Sequence, residues 1–279
     1  METTAYDFLQ RYDFEDLRRR IYAQTAEDVE RALAQPYRTT EDFIALVSPA
    51  AVPYLEVMAR EAHRLTIERY GKTLQLYLPL YLSNICSNSC VYCGFSKENK
   101  IHRRQLTLSE IDREVEAIKR LGFRHLLLVS GEDLRSSSWK YYLEVVKHLR
   151  PHFAQLSLEV QPLSTEQYHA LGSAGISYVC VYQETYHEAH YPRYHLAGKK
   201  ADYRYRLETP DRIAQAGIEK IGLGALLGLE EWRTDSTFTA LHLSYLKRKY
   251  RQTRYSISLP RLRPAVGAYE PSCPIDDLG

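Results

Sequence analysis

Short apolar runs alternate with amphipathic helical segments from residue 74 to residue 264, and no other feature of the sequence constrains the fold as strongly. Six runs have the length and composition of strands: 74–82, 125–130, 155–161, 176–183, 220–227 and 255–259. The segments between them place apolar residues three and four positions apart, as helices with one buried face do. Strands that alternate with such helices predict a parallel α/β sheet or barrel.

The helical segments carry their own start and stop signals. Between the first two strands, Thr107 and Glu110 form a candidate capping box, and Gly122 ends the segment. Its apolar face consists of Leu108, Ile111, Val115, Ile118 and Leu121. Similar segments follow at 139–149, 164–174, 209–216 and 237–250. We expect each apolar face to cover the sheet.

The pattern divides the chain into three parts. Residues 1–72 are predicted as helices, with a cap at Thr39 or Thr40 and an amphipathic run over 54–70 that Gly71 stops. Residues 73–264 hold the six strands of a partial barrel, whereas a closed barrel of this kind needs eight. Residues 265–279 are a tail, interpreted as the start of a region absent from this sequence. The first and sixth strands are therefore expected to be the edges of an open sheet.

Composition narrows the class of partner. Lysine and arginine number 37 against 35 aspartate and glutamate, and this formal net charge of +2 does not favour nucleic acid. The N-terminus lacks the apolar core of a signal peptide, and no apolar run is long enough to predict a membrane span. Five cysteines, three of them within eight positions, fit a metal site in a reducing compartment better than disulfides. We expect a cytoplasmic enzyme of small-molecule chemistry, without a membrane partner.

The three clustered cysteines, Cys86, Cys90 and Cys93, form a C-x3-C-x2-C loop directly after the first strand. Active sites of barrels lie at the carboxyl ends of the strands, and three thiolates at this spacing can hold three irons of a four-iron cube and leave the fourth open. A structural zinc site, with His102 as the fourth ligand, is one alternative. A ferredoxin-like electron carrier is another, although such proteins usually supply a fourth cysteine.

The cysteine spacing, with Tyr92 before the third cysteine, resembles the hallmark of the radical S-adenosylmethionine (SAM) superfamily. In that superfamily the open iron of a 4Fe-4S cluster binds SAM, and an electron from the cluster cleaves SAM to a 5′-deoxyadenosyl radical. The resemblance therefore implies a radical SAM (βα) barrel, here partial, and two cofactors, the 4Fe-4S cluster and SAM.

Three other stretches resemble SAM-binding parts of the superfamily. The segment Ser-Gly-Glu-Asp at 130–133 resembles the GGE-type motif and implies that Glu132 contacts the SAM ammonium. The segment at 224–231 resembles a G-x-I-x-G-x-x-E pattern and places Leu226 and Gly228 beside the adenine. Arg206 resembles the arginine that binds the SAM carboxylate in biotin synthase, and Glu184 resembles its ribose-binding acid.

Longer stretches resemble the aromatic amino-acid lyase branch of the superfamily: 92–95, 99–102, 182–186, 201–203, 205–212 and 258–264. The tyrosine lyases of this branch cleave the Cα–Cβ bond of L-tyrosine, after a radical abstracts hydrogen from its amine, and form 2-iminoacetate and p-cresol for thiamine thiazole biosynthesis. The resemblance implies L-tyrosine as substrate, thiazole synthase as the partner that receives the imine, and a flavodoxin- or ferredoxin-type electron donor. Family members continue beyond the point where this sequence ends.

Two alternatives to this function stay open. One is the tyrosine lyase of iron-hydrogenase maturation, which adds a C-terminal cysteine cluster that this sequence does not show. The other is a non-catalytic iron-sulfur or zinc scaffold that binds a partner through the open edge of the sheet.

Other candidate metal ligands lie outside the cysteine loop. Cys180, in an apolar run, is expected to be a buried thiol, and Cys273, in the tail, is expected to be inert. His187, His190 and His195 are candidates for a second metal site. Their position after the fourth strand and the family resemblance favour a loop that covers the substrate instead.

Overall fold

The computed structural model describes residues 4–267, 269–271 and 275. Its strands are β1 Leu78–Ser83, β2 Ser89–Cys90, β3 His125–Ser130, β4 Gln155–Glu159, β5 Ile176–Cys180, β6 His195–Ala197, β7 Lys220–Gly224 and β8 Arg254–Ser258. Its α-helices are α1 Ala5–Leu9, α2 Phe14–Tyr22, α3 Ala26–Ala34, α4 Thr40–Leu46, α5 Leu55–Tyr70, α6 Leu108–Arg120, α7 Trp139–Leu149, α8 Thr165–Ala174, α9 Tyr191–Tyr194, α10 Tyr203–Leu207, α11 Thr209–Gln215 and α12 Trp232–Lys249. Short 3-10 helices lie at Pro49–Tyr54 and Lys199–Ala201.

Six parallel strands form the main sheet in the order β1-β3-β4-β5-β7-β8. Parallel neighbours require a crossover connection, and the helices between consecutive strands supply it. The predicted parallel α/β architecture is confirmed. The first and sixth predicted strands, β1 and β8, are the two edges of the open sheet, as expected.

Several strands are shorter than predicted. β1 begins at Leu78 instead of residue 74, and the side chain of Leu74 is exposed. β4, β5 and β7 end two or three residues earlier than the apolar runs that predicted them. Beyond β5 the pairing becomes irregular, because Glu184 has a φ of 73° that a regular strand does not accommodate.

A second, two-stranded sheet was missed by the sequence pattern. β2 and β6 pair antiparallel and join the cysteine loop to the segment that follows β5. Strands of two and three residues carry no periodicity from which they could be predicted. The pairing aligns Cys90 with His195 and so positions the cysteine loop.

The faces of the strands that point toward the helices form one apolar core. Leu126 and Leu128 of β3, with Leu156 and Leu158 of β4, are buried in it. Each such side chain contributes about 1.5–3 kcal/mol by leaving water. The N-terminal helices α1 and α2 join the same core, and Phe14 of α2 stacks on a ring of α12 at a centroid distance of 5.6 Å.

Side-chain caps set the helix boundaries. The predicted capping box of Thr107 and Glu110 is present at α6, and Thr39 caps α4. α12 begins at Trp232, whereas the sequence pattern predicted residue 237. The earlier start arises because the Glu231 carboxylate accepts hydrogen bonds from two backbone N–H groups of the first turn.

The opposite faces of the strands line a polar cavity of about 300 Å³ inside the open sheet. Its walls are formed by Gln75, Tyr77, His125, Leu127, Gln155, Ser157, Tyr178, Lys220, Ser256 and Ser258. Alternation along each strand places these residues on the side away from the helices. His125, Gln155 and Lys220 are the first residues of their strands, so the cavity occupies the interior of the sheet toward the amino ends, below the loops that carry the predicted site residues.

The tail is only partly separate from the rest of the chain. Residues 264–267 are exposed. However, Asn99 donates a hydrogen bond to the Val266 carbonyl at 2.9 Å, and the ring of Tyr269 packs edge-on against Tyr194. Cys273, predicted to be inert, lies outside the described residues.

Candidate active site

The cysteine loop, residues 86–93, lies at the carboxyl end of β1 and is held by the end of β3. The Ser87 N–H donates to the Glu132 carbonyl at 2.9 Å, and the Gly131 N–H donates to the Ser83 carbonyl at 2.8 Å. A Cβ atom at Gly131 would overlap the carbonyl oxygen of Ile85. Glycine is therefore required where the end of β3 approaches the loop.

The segment after β5 holds the cysteine loop from the other side. The Val91 N–H donates to the Tyr194 carbonyl at 3.0 Å, and the Tyr92 hydroxyl lies 2.9 Å from Nε2 of His195. Nδ1 of His195 lies 3.1 Å from the Tyr191 carbonyl. Burial lowers the pKa of His195 to about 2, so its ring is neutral. Both ring nitrogens have hydrogen-bond partners, and His195 therefore supports the loop and does not join a metal site.

The three thiols of the loop are free, and burial disfavours ionisation of two of them. Cys90 is buried, while Cys86 and Cys93 are half-buried. Burial raises the pKa of Cys90 to about 12, although the nearby Lys200 ammonium opposes this rise. Burial likewise raises the pKa of Cys93. Thiols of this kind lose their protons when a bound metal supplies the compensating positive charge.

The three sulfurs are not arranged as the ligands of a single ion. In a tetrahedral zinc site, with Zn–S bonds of about 2.3 Å, thiolates lie about 3.8 Å apart. The sulfurs of Cys86, Cys90 and Cys93 do not form a group with mutual distances within 4.8 Å. His102, the alternative zinc ligand, has an exposed side chain. A four-iron cube spreads its thiolates further apart than one ion does, and it fits this loop better.

A buried charged network lies beside the cysteine loop. Arg206 pairs with Glu132 at 2.8 Å and lies 3.8 Å from Glu184, while Lys200 pairs with Glu184 at 2.7 Å. Asn88, inside the cysteine loop, donates to the Glu132 carboxylate at 2.9 Å and accepts from the Lys200 N–H at 3.1 Å. The structure therefore brings the predicted residues Glu132, Glu184 and Arg206 together and links them to the loop.

Charge pairing keeps Glu132 and Arg206 ionised in spite of their burial. Burial alone would raise the pKa of Glu132, but the positive charges of Arg206 and Lys200 hold it below its ordinary value. Burial alone would lower the pKa of Arg206, yet the negative charges of Glu132 and Glu184 help to hold it above its ordinary value. The site consequently presents fixed charges of both signs within one small region.

The predicted adenine-side residues follow β7, next to Glu184. The Leu226 N–H donates to the Glu184 carbonyl at 2.7 Å. Gly228 has a φ of 110°, a conformation that favours glycine. A Cβ at Gly224 would overlap the Ser258 carbonyl, so this strand end also approaches its neighbour closely. The end of β7 thus lies on the same rim as the cysteine loop.

Comparison with known proteins agrees with this geometry. The family model of the radical SAM superfamily matches residues 80–240. Two curated 2-iminoacetate synthases, from Escherichia coli (strain K12) and Salmonella typhimurium (strain LT2), are 51% and 50% identical over 275 residues. Those residues make up 98% of this chain and 73% of each relative. The chain belongs to the radical SAM superfamily. Within the superfamily it belongs with the 2-iminoacetate synthases.

Solved structures lead to the same fold. The hydrogenase maturase HydG superimposes with a TM-score of 0.84 at 31% identity, covering 91% of this chain and 60% of HydG. Methylornithine synthase (PylB) superimposes with a TM-score of 0.68 at 19% identity, over 90% of this chain and 73% of PylB, and supports the fold alone. The predicted partial radical SAM barrel is confirmed.

Radical SAM enzymes use a 4Fe-4S cluster and SAM, and the residues present fit both cofactors. The cysteine loop offers three thiols in the C-x3-C-x2-C spacing, which can hold three irons of a four-iron cube. SAM carries an α-ammonium and an α-carboxylate, and the ion pair of Glu132 and Arg206 presents the complementary charges beside that loop.

The histidines after β5 separate into two groups. His187 and His190 lie near Glu230 with candidate ligand atoms within 4.8 Å of one another, and His190 is hydrogen-bonded to Glu230 at 2.8 Å. The two imidazole rings are stacked at 3.7 Å with an angle of 6° between their planes. An ion in the plane of one ring would lie outside the plane of the other, so this arrangement is that of a packed pair. His195 belongs to the cysteine loop instead.

Sequence reasoning missed two residues of the site. Asn88 connects the cysteine loop to both Glu132 and Lys200. Its position between two cysteines was the one available signal. Lys200 has no motif around it that could have identified it, since its importance depends on which charges lie nearby in space.

Proposed function

We propose that this chain is a radical SAM tyrosine lyase that cleaves the Cα–Cβ bond of L-tyrosine to 2-iminoacetate and p-cresol, with methionine and 5′-deoxyadenosine formed from SAM. The observation that carries the proposal is the meeting of the cysteine loop and the buried charged network on one rim of the sheet. The identity of about half of all residues with 2-iminoacetate synthases supports this reaction over others of the superfamily.

The proposed roles follow from the contacts. Cys86, Cys90 and Cys93 hold the cluster, which together with SAM supplies the 5′-deoxyadenosyl radical. Arg206 binds the SAM carboxylate and Glu132 binds its ammonium. Because SAM brings one charge of each sign, it exchanges partners with an existing ion pair and leaves neither residue uncompensated.

The adenosyl part of SAM has its own candidate residues. Glu184 binds the ribose hydroxyls, and its carboxylate is oriented by Lys200 at 2.7 Å. Leu226 and Gly228 place backbone beside the adenine, on the rim next to Glu184. The polar cavity of about 300 Å³ below this rim is of the size that small ligands occupy, and we assign it to tyrosine.

Partners and compartment follow from the proposed chemistry. The imine product hydrolyses readily, which favours direct transfer to thiazole synthase for thiamine biosynthesis. A flavodoxin- or ferredoxin-type donor would reduce the cluster, and the free thiols favour the cytoplasm.

No single helix among the described residues is long and apolar enough to span a membrane. Two consecutive helical segments, Thr40–Leu46 and Pro49–Tyr70, reach that length and apolar content only when taken together, and the chain bends by 80° between them.

The test is anaerobic reconstitution with iron and sulfide, followed by incubation with SAM, a reductant and L-tyrosine. We expect p-cresol and 5′-deoxyadenosine, and neither product from a Cys93→Ala variant. Formation of 5′-deoxyadenosine with no p-cresol, both from this chain and from one extended to the length of its relatives, would contradict the lyase assignment. Absence of both products from protein with a full cluster would favour a non-catalytic scaffold.

The tyrosine lyase of hydrogenase maturation is a second candidate, supported by the superposition with HydG. That enzyme carries a second iron-sulfur centre on a C-terminal cysteine cluster. Sequence identity favours the first candidate, because the curated 2-iminoacetate synthases share 50–51% of residues with this chain and HydG shares 31%.

A further inference from the structure

Glu159 is a third carboxylate on the active-site rim. It is the last residue of β4, the strand that lies between β3 and β5. Glu132 follows β3 and Glu184 follows β5, so Glu159 lies between the two acids of the charged network. Its Cα is in register with that of Val129 on β3.

The side chain of Glu159 faces the interior of the open sheet. Leu156 and Leu158 of the same strand are buried in the apolar core against the helices. Residues of a strand alternate between the two faces of a sheet, so Gln155, Ser157 and Glu159 share the opposite face. Gln155 and Ser157 line the polar cavity. Glu159 is the next residue on that face after Ser157, between the cavity and the carboxyl-end rim of the sheet.

Glu159 differs from the other two acids because its charge has no direct partner. Glu132 and Glu184 are paired with Arg206 and Lys200. Within residues 4–267, 269–271 and 275, the Glu159 carboxylate makes no hydrogen bond or ion pair, although it is partly buried. Burial and the negative charge of Glu184 raise its pKa. A cation that enters the cavity would pair with the Glu159 carboxylate and compensate its charge.

We propose that Glu159 binds the α-ammonium group of the amino-acid substrate and accepts a proton from it. This inference rests on the proposed function. Hydrogen abstraction from the substrate nitrogen requires a neutral amine, because an ammonium nitrogen has no lone pair to stabilise the resulting radical. One proton passes from nitrogen to a carboxylate oxygen, and the products are a neutral amine and a neutral carboxylic acid.

The position of Glu159 agrees with this role. A substrate nitrogen bound there lies between the SAM residues on the rim and the cavity that receives the aromatic ring. Lys200 and Arg206 lower the pKa of Glu159 while Glu184 raises it, so the three charges around it partly offset one another. A substrate cation can pair with Glu159 without breaking an existing ion pair. SAM, by contrast, must replace the contact between Glu132 and Arg206.

The test compares L-tyrosine with 3-(4-hydroxyphenyl)propanoate, which lacks the amino group, in anaerobic binding titrations of cluster-loaded protein with SAM present. In Glu159→Gln we expect roughly 10- to 100-fold weaker tyrosine binding, the range expected for loss of one charge-assisted hydrogen bond. Binding of the deamino analogue and of SAM should be unchanged. Glu114→Gln, on the exposed face of α6, is the matched control and should bind all three ligands normally.

Each other outcome overturns the inference. Equal tyrosine affinity in Glu159→Gln and the unmodified chain would show that the carboxylate does not bind the ammonium. Equal weakening of tyrosine and the deamino analogue would indicate a role in cavity shape, and weaker SAM binding would assign Glu159 to the cofactor. If the unmodified chain binds SAM but neither tyrosine nor the analogue, the proposed function fails, and the inference fails with it.

Discussion

Replacing Arg206 by methionine removes the cation that two buried carboxylates share. Arg206 is 6% exposed, and the side chains of its partners Glu132 and Glu184 are 12% and 11% exposed. Methionine fills a similar volume but leaves these acids with only Lys200 and Asn88 for compensation. Breaking a buried pair from one side costs about 3–5 kcal/mol, a large part of the stability of a typical domain.

Urea unfolding of the cluster-free protein measures this loss. With a slope of about 3 kcal/mol per molar urea, the midpoint should fall by roughly 1–1.7 M. Arg254→Met is the control, because its ion pair with Glu219 is exposed and surface pairs contribute little. The double variant Glu132→Gln with Arg206→Met should lose less stability than the two single losses added together, since it removes the buried charge along with its partner.

The loss of stability should also depend on pH. In the unmodified chain the pKa of Glu132 is lowered, so its contribution is present above the pKa of the unfolded chain and is lost as pH falls through the folded value. In Arg206→Met the effect of burial prevails and raises this pKa, so protonation favours the folded state. The deficit should therefore shrink as pH falls from about 7.5 to 5. A deficit under about 1 kcal/mol, or one that grows at low pH, would refute this account of the network.

Three further predictions concern the loop cysteines, Gly131 and Asp235, a buried residue in the first turn of α12. Alanine at any one of the three loop cysteines should abolish the brown cluster, whereas Cys180→Ala, outside the loop, should retain about four irons; iron and sulfide analysis checks this. Gly131→Ala should weaken cluster loading and SAM binding, because its methyl group would overlap the Ile85 carbonyl next to Cys86, and a titration showing normal SAM affinity would contradict this expectation. Burial raises the pKa of Asp235 from 3.8 to about 8, so the folded chain should lose stability as pH rises through that range, and Asp235→Asn should flatten the profile. If the free energy of unfolding, measured with urea from about pH 5 to 8, changes with pH equally in Asp235→Asn and the unmodified chain, Asp235 is not the group responsible.

Local sequence patterns predicted most of the helices and strands, but they predicted the first and last residues of these helices and strands less well. The capping box at Thr107 was recognisable because both of its partners lie within one helical turn. The true start of α12 was not recognised, since Glu231 looked like part of a motif and not like a helix cap. β2 and β6 were missed because their few residues form strands only through pairing with each other.

The sequence by itself determined the six parallel strands, the helices that cover them and the cysteine loop at a strand end, because periodicity, caps and ligand spacing are properties of neighbours along the chain. Tertiary structure alone decided how the charges are paired. Arg206 and Glu132 are 74 positions apart, and Asn88 and Lys200 are 112 apart, yet they form one network. Glu159 shares the rim with them and has no direct partner among the described residues. The strength of a charge interaction depends on distance in space and on burial, and neither is encoded by separation along the chain.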